Sequence, residues 1–260
     1  MGELLFPEYG AMQRWHETGK GCPLVILPAL SVPVMSAFEA MIGNPVLGDR
    51  RFILIDYLGS GSSDHPTGFD YSLAAHAGTV AAVMDILGLE GADVLGHSMG
   101  GSVAIQLALD HPRRVGRLAV AEGNLAPGGG AASSRIARQD RKEFLSGGLP
   151  VLQERMREIG AGWLAEAWDT ADPAGVWGNA DALVRLDPAF REAFLSLQVP
   201  RSFIFGERSI AEGPAPDVPD PDGLRAAGIA VVVVPHAGHA MFRDNPSGSA
   251  CAVAEAFPLG

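Results

Sequence analysis

The sequence predicts an α/β fold, with a mostly parallel sheet, helices on its faces and one inserted helical segment. Three observations carry this. Short apolar, β-branched runs alternate with longer stretches of helical periodicity, the pattern of βα units around a parallel sheet. A Gly-x-Ser-x-Gly pattern at residues 96–100 falls where one such run gives way to a helix. Finally, the stretch between Glu122 and Arg201 is far longer than the roughly dozen residues that one crossover needs.

Taken in chain order, the expected sheet strands are Leu24–Leu27, Phe52–Ile55, Ala92–Leu95, Leu118–Ala121, Arg201–Phe205 and Ile229–Val234. Each is closed by Gly, Pro or a polar residue. Helices fill the gaps. Ser72–Leu87 carries Leu73, Val80, Val83, Met84 and Leu87 near helical spacing, and Met99–Leu109 ends before His111-Pro112, where proline stops a helix. A last helix is expected at Ser249–Phe257, and the Pro-rich Pro214–Pro221 reads as a surface excursion. The rhythm divides the chain into a core of residues 1–124 and 199–260 and a helical lid of residues 125–198. That lid holds Trp163, Trp168 and Trp177, three of the four tryptophans.

Composition bounds the function. A chain of 260 residues, 47% hydrophobic and 19% charged, buries a substantial core as one domain with an insertion. Its formal charge of −11 repels phosphate backbones and anionic headgroups, so nucleic acid is excluded as a partner. No apolar run approaches the ~18 residues of a membrane span, and the start Met1-Gly2-Glu3-Leu4-Leu5-Phe6-Pro7 lacks the pattern of a secretory signal. The expectation is a cytoplasmic protein without membrane insertion, acting on a small molecule, with a homodimer left open. Cys22 and Cys251 stand in no metal-binding spacing and are read as free thiols. Gly59-x-Gly61-x-x-Asp64 lacks the third glycine of a dinucleotide fingerprint and reads as a turn, and there is neither a Walker-type lysine nor H-E-x-x-H. No cofactor and no metal are expected.

The chemistry centres on Val94-Leu95-Gly96-His97-Ser98-Met99-Gly100-Gly101. A nucleophile on a sharp strand-to-helix turn needs small residues two positions either side, because the turn crowds those backbones together. Gly96 and Gly100 meet that need. The helix beginning at Met99 turns its unpaired N–H groups toward the serine oxygen and favours developing negative charge. The bland alternative is a tight βα turn with Ser98 merely capping the helix.

Four stretches together resemble the α/β-hydrolase fold family: Phe52–Asp64, Gly96–Gly101, His111-Pro112-Arg113-Arg114-Val115 and Ala237-Gly238-His239. The likeness spans nearly everything but the lid. It implies an eight-stranded, mostly parallel sheet with helices on both faces and an antiparallel N-terminal ribbon near Met12–Glu17. It also implies a serine hydrolase of the esterase or lactonase kind.

A serine hydroxyl is a poor nucleophile at neutral pH, so a base must take its proton and an acid must orient that base. His239 follows the last strand and comes last in the family order of serine, acid, histidine. His236 is the runner-up. His97 is expected to point away from Ser98 and pack locally, while His16, His65, His76 and His111 are read as surface or turn residues. The acid departs from the common family pattern: the strand Arg201–Phe205 is followed by Gly206-Glu207-Arg208-Ser209, with serine where many relatives carry aspartate. Some relatives place the acid one strand earlier, where this chain has Glu122. Glu122 is therefore the expected acid and Glu207 the alternative, with Glu122 otherwise a hinge residue bonded to the turn at Gly123.

For the oxyanion hole the resemblance implies the Met99 N–H and one from the loop Pro28-Ala29-Leu30-Ser31. Proline has no N–H, which leaves Leu30 by offset, with a hydroxyl from Ser31. Asp56 is expected to bind turn amides. Ser31, Trp163, Trp168 and Trp177 are assigned to the substrate pocket, against the alternative that the tryptophans form the lid's own small core. The leading function is hydrolysis of an ester, lactone or thioester bearing a small apolar or aromatic group. Carbon–carbon bond hydrolysis and acyl transfer use the same triad, and a non-catalytic ligand-binding protein is the reading from a different class.

Overall fold

The computed structural model describes residues 1–213 and 219–259. Eight strands form one sheet: β1 Gly2–Phe6, β2 Ala11–Gly19, β3 Cys22–Leu27, β4 Arg50–Ile55, β5 Ala92–His97, β6 Val115–Ala121, β7 Arg201–Gly206 and β8 Ala230–Val234. Their order is β1-β2-β4-β3-β5-β6-β7-β8. The pairs β1/β2 and β2/β4 are antiparallel, and every other neighbouring pair is parallel. All six strands expected from the sequence are present, and the N-terminal ribbon begins earlier than expected, at Gly2.

The middles of the parallel strands are continuous apolar runs because each face meets helices, with charged residues such as Arg50, Asp93 and Arg117 kept to their N-terminal ends. Side chains alternate between faces with a period of two. Val25, Ile53, Val94, Val120 and Phe203 enter one core layer, while Ile26, Leu54, Leu95, Ala119 and Ile204 enter the other. The first layer is covered by α2 (Leu73–Ile86) and α3 (Met99–Asp110), the second by α1 (Val34–Ile42) and the closing helix Pro246–Ala256. On α1 the buried Val34, Phe38 and Met41 recur at helical spacing and make one apolar stripe.

Helix boundaries follow their caps. Ser72 caps α2, its Oγ accepting the Ala75 N–H at 3.1 Å. The closing helix starts three residues before the expected Ser249, because Asn245 accepts the Gly248 N–H at 2.9 Å and Pro246 occupies the first turn. Of the Pro-rich stretch, residues 214–218 lie outside the described residues. Asp220 then caps a helix at Pro221–Ala226.

Between β6 and β7 the chain forms α4 (Ala131–Ala137) and helices at Leu149–Glu158, Gly162–Ala167, Pro173–Val184 and Phe190–Ser196. Leu152, Trp168, Val176, Leu183 and Phe190 of this stretch belong to the same apolar cluster as Val94 and Val120 of the sheet. This segment therefore shares the sheet's core.

At the N-terminal ends of the parallel strands, buried Asp93 of β5 accepts from Arg50 at 3.0 Å and from Arg117 at 2.6 Å. Arg50 also donates to the Phe257 carbonyl and Arg117 to that of Pro258, which ties the chain's last helix to the sheet. Cys22 and Cys251 are unpaired and exposed. No helix among the described residues is long and apolar enough to cross a membrane.

Candidate active site

The register aligns the C-terminal ends of four strands: His97 of β5 lies opposite Ala121 of β6, Ala121 opposite Ile204 of β7, and Gly206 of β7 opposite Val234 of β8. Loops leaving this rim are where an open α/β sheet holds its ligands. Here they carry Ser98, Glu122 and His239.

Ser98 joins β5 to α3 with φ 54° and ψ −123°, outside both helix and strand geometry. Its N–H donates to the Ala121 carbonyl at 2.8 Å. The glycines around it are sterically required: a Cβ on Gly96 would lie 2.1 Å from the Gly100 carbonyl oxygen, and one on Gly100 would lie 2.3 Å from that of Leu27.

The His239 Nε2 lies 3.1 Å from Ser98 Oγ, and its Nδ1 lies 2.7 Å from Glu122 Oε2. An ionised carboxylate can only accept, so the proton is on Nδ1 and the Nε2 lone pair faces the serine hydroxyl. Glu122 is 2% exposed, has a left-handed φ of 45°, and accepts the Gly206 N–H on Oε1 at 2.8 Å. Burial pushes its carboxyl up, but bonds from His239, the Gly206 N–H and the Ser209 hydroxyl outweigh that and hold it below the usual carboxylate range. The three side chains expected to meet do so, and serine at 209 supplies a donor to the carboxylate. The hinge alternative also changes partner: Glu122 is bonded to Gly206 rather than to the turn at Gly123.

The pattern of the alpha/beta hydrolase fold matches residues 23–199, more than half of the chain. The chain belongs to the α/β-hydrolase fold family. Among its relatives, 2-hydroxymuconate semialdehyde hydrolase of Pseudomonas sp. (strain CF600) is 34% identical over 110 residues, covering 42% of this chain and 39% of that protein. The match thus spans about two fifths of that relative's length. Among solved structures, an esterase from Exiguobacterium antarcticum superposes with TM-score 0.75 at 21% identity, over 95% of this chain and 97% of that one. The enol-lactonase from Burkholderia xenovorans LB400 gives 0.73 at 20%, over 96% and 98%. These likenesses are to the fold.

In this α/β hydrolase Ser98, Glu122 and His239 open on a cleft of about 440 Å³ walled by Leu30, Ala131, Ala132, Leu183 and Ser209 among others. Leu30 lines the same cleft as Ser98. Met99 is the first residue of α3, so its N–H has no carbonyl within the helix to bind. Among the described residues no group of three or more His, Cys, Asp or Glu is arranged to hold a metal ion.

Several expected residues lie elsewhere. Glu207 is not the acid on His239: its carboxylate accepts the His236 N–H at 2.7 Å, and His236 is itself exposed, 3.4 Å from that carboxylate through Nδ1. None of the three tryptophans lines the cleft. Trp168 is buried and donates its indole N–H to the Leu30 carbonyl at 3.0 Å. Trp177 donates to the Gln139 carbonyl and lines a separate cleft of about 480 Å³ with Tyr71 and Arg141, while Trp163 lies under Arg243 at 4.9 Å. Trp168 spends its apolar face on the core and Trp177 packs against that core from a half-buried position. Ser31 is fully buried and its hydroxyl accepts from Asn179 at 3.1 Å, so it too is absent from the cleft wall. Asp56 binds amides, those of Val34 at 2.7 Å and Ser62 at 2.9 Å.

One histidine differs from expectation, and a second makes a contact beyond its packing. His76 is wholly buried rather than on the surface, with Nε2 2.7 Å from Asn179 Oδ1. His97 packs against Phe38 and Phe242 and also binds the His239 carbonyl through Nε2 at 2.8 Å. Burial lowers the His97 pKa to about 3, so the ring is neutral and Nε2–H donates. No local sequence pattern marks this contact, which spans 142 positions. The signal available was a histidine beside the serine, closing the apolar run that begins at Val94.

Proposed function

We propose that this α/β hydrolase is a serine hydrolase that cleaves a carboxylic ester, lactone or thioester through an acyl-Ser98 intermediate. The observation that supports it is the unbroken chain of 3.1 Å and 2.7 Å contacts from Ser98 through His239 to Glu122, opening on the cleft. In the first step Ser98 Oγ bonds to the carbonyl carbon and its proton passes to His239 Nε2. The anionic oxygen receives the N–H groups of Leu30 and Met99, the latter at the positive end of α3. Glu122 holds the imidazole in the Nδ1–H form and stabilises the imidazolium. The C–O or C–S bond then breaks as His239 returns its proton to the leaving group, and water repeats the sequence on the acyl-serine.

The cleft's modest volume and its apolar wall of Leu30, Ala131, Ala132 and Leu183 fit a small, apolar acyl or alcohol group. In this reading residues 125–198 are the lid, supplying Ala131, Ala132 and Leu183 to that wall, over a core of residues 1–124 and 199–260. The test is a hydrolysis screen over p-nitrophenyl esters from acetate to octanoate, with a set of lactones, using wild type and Ser98→Ala. Turnover of short esters or lactones by wild type alone is expected. Equal rates for both proteins contradict the proposal.

A second reading, hydrolysis of a carbon–carbon bond by the same three groups, draws support from the stretch shared with 2-hydroxymuconate semialdehyde hydrolase. Adding 2-hydroxymuconate semialdehyde to the screen separates the two. A preference for it over every ester would favour this second reading.

A further inference from the structure

We propose that Asn179, in the inserted helical segment, is a positioning residue for the oxyanion loop, acting through Ser31 and held in orientation by His76. The inference rests on the serine-hydrolase reading and adds to it the residues that keep the Leu30 N–H aimed at the reacting oxygen.

The loop after β3 closes a turn in which the Val32 N–H donates to the Ala29 carbonyl at 3.1 Å, with Leu30 and Ser31 at its centre. Ser31 has φ 52°, a left-handed conformation that glycine or asparagine usually supplies at such a position. A serine there needs external restraint. Two buried bonds from the inserted segment provide it: Trp168 Nε1 donates to the Leu30 carbonyl at 3.0 Å, and Asn179 Nδ2 donates to Ser31 Oγ at 3.1 Å.

The direction of the second bond is dictated from behind. His76 is fully buried, and burial lowers its pKa to about 4, so it is neutral and carries one proton. Its Nε2 lies 2.7 Å from Asn179 Oδ1, while its Nδ1 is buried with no partner among the described residues. A proton on Nδ1 would be unsatisfied, so Nε2–H donates to Oδ1. That leaves the Asn179 amide to donate to Ser31, whose own proton stays free. The chain His76, Asn179, Ser31 thus runs one way and ends on the residue beside Leu30. No member of it touches the cleft.

The test compares wild type, Asn179→Ala, Ser31→Ala and the double variant. Each is assayed for kcat and KM on p-nitrophenyl acetate and for the rate of labelling by a fluorophosphonate, whose phosphoryl oxygen uses the same donors. Misplacing an oxyanion donor by an ångström costs up to roughly 100-fold. Asn179→Ala is therefore expected to lower kcat and labelling roughly 10- to 100-fold, with KM nearly unchanged. The double variant should be no slower than Asn179→Ala, because both remove one pathway. Should Asn179→Ala fail to fold, folded Ser31→Ala, which deletes only the accepting hydroxyl, carries the same expectation. Wild-type kcat in either folded single variant, or losses that multiply in the double, overturn the proposal. A wild type that turns over p-nitrophenyl acetate but is not labelled at Ser98 removes the underlying reading as well, and is told apart by its appearance before any substitution.

Discussion

Glu122 reaches from the end of β6 to the last residue of β7, where its Oε1 accepts the Gly206 N–H at 2.8 Å, leaving Oε2 for His239. That shared use of one carboxylate lets Glu122 meet His239 from the strand before β7. A Cβ at Gly206 would lie 2.5 Å from the Gly238 carbonyl oxygen, so the glycine that meets Glu122 also lets the histidine loop approach.

Glu122→Gln should retain the fold and the Gly206 contact through its amide oxygen while offering His239 the wrong partner. We expect kcat to fall on the order of 10⁴-fold, by analogy with an aspartate-to-asparagine change in another serine hydrolase. Glu207→Gln should leave kcat near wild type, since that carboxylate serves His236. The two variants assayed together check the assignment, and a crippled Glu207→Gln beside an active Glu122→Gln reverses it.

His239→Ala should lose nearly all turnover, and His236→Ala little, because His236 is exposed and directed to Glu207. His97→Phe should keep the packing against Phe38 and Phe242 but lose the bond to the His239 carbonyl. Its expected signature is a lower kcat with near-normal stability, measured by steady-state kinetics and urea unfolding on the same preparation.

The buried histidines set the acid side of stability. The His76 pKa falls to about 4, chiefly from burial and only partly offset by Asn179 and Asp70. The His97 pKa falls to about 3, from burial and the neighbouring His239. Each pKa is depressed in the folded state, so the unfolded chain binds more protons as pH drops below about 6.5. Stability is full above that pH and is lost as pH falls through about 6.5 toward 4 and 3. For His76 alone this amounts to up to roughly 3 kcal/mol. Urea unfolding of wild type and His76→Gln between pH 7 and pH 4 should show a shallower pH dependence for the variant. Parallel curves would contradict it.

Asp93→Ala should be strongly destabilising, because it strands Arg50, whose side chain is 1% exposed. Removing one partner of a buried pair costs about 3–5 kcal/mol. The loss lies at the far rim of the sheet, so kcat of the folded fraction at low temperature should be unchanged. Thermal unfolding and kinetics together check both halves of the expectation.

The strands from β3 to β7 were legible because they are largely buried on both faces and so read as apolar runs, and the elbow because Gly96 and Gly100 have no steric substitute. Glu122 was legible as a carboxylate ending an otherwise apolar strand. The tryptophans misled because an indole offers the same apolar surface to a core as to a substrate, and only its N–H partner distinguishes the two. Trp168 bonds the Leu30 carbonyl and Trp177 that of Gln139, contacts that tertiary structure alone brings together. His76 was read as a surface residue because one buried imidazole among the alanines of α2 leaves no trace in the periodicity.

Mass spectrometry after rapid mixing with a p-nitrophenyl ester and acid quench identifies the residue that carries the acyl group. Wild type should carry an added acyl mass on the peptide containing Ser98, greater in Glu122→Gln if deacylation slows more than acylation, and Ser98→Ala should carry none. Turnover with an acyl group on another residue, or the same adduct in Ser98→Ala, would contradict the acyl-Ser98 intermediate.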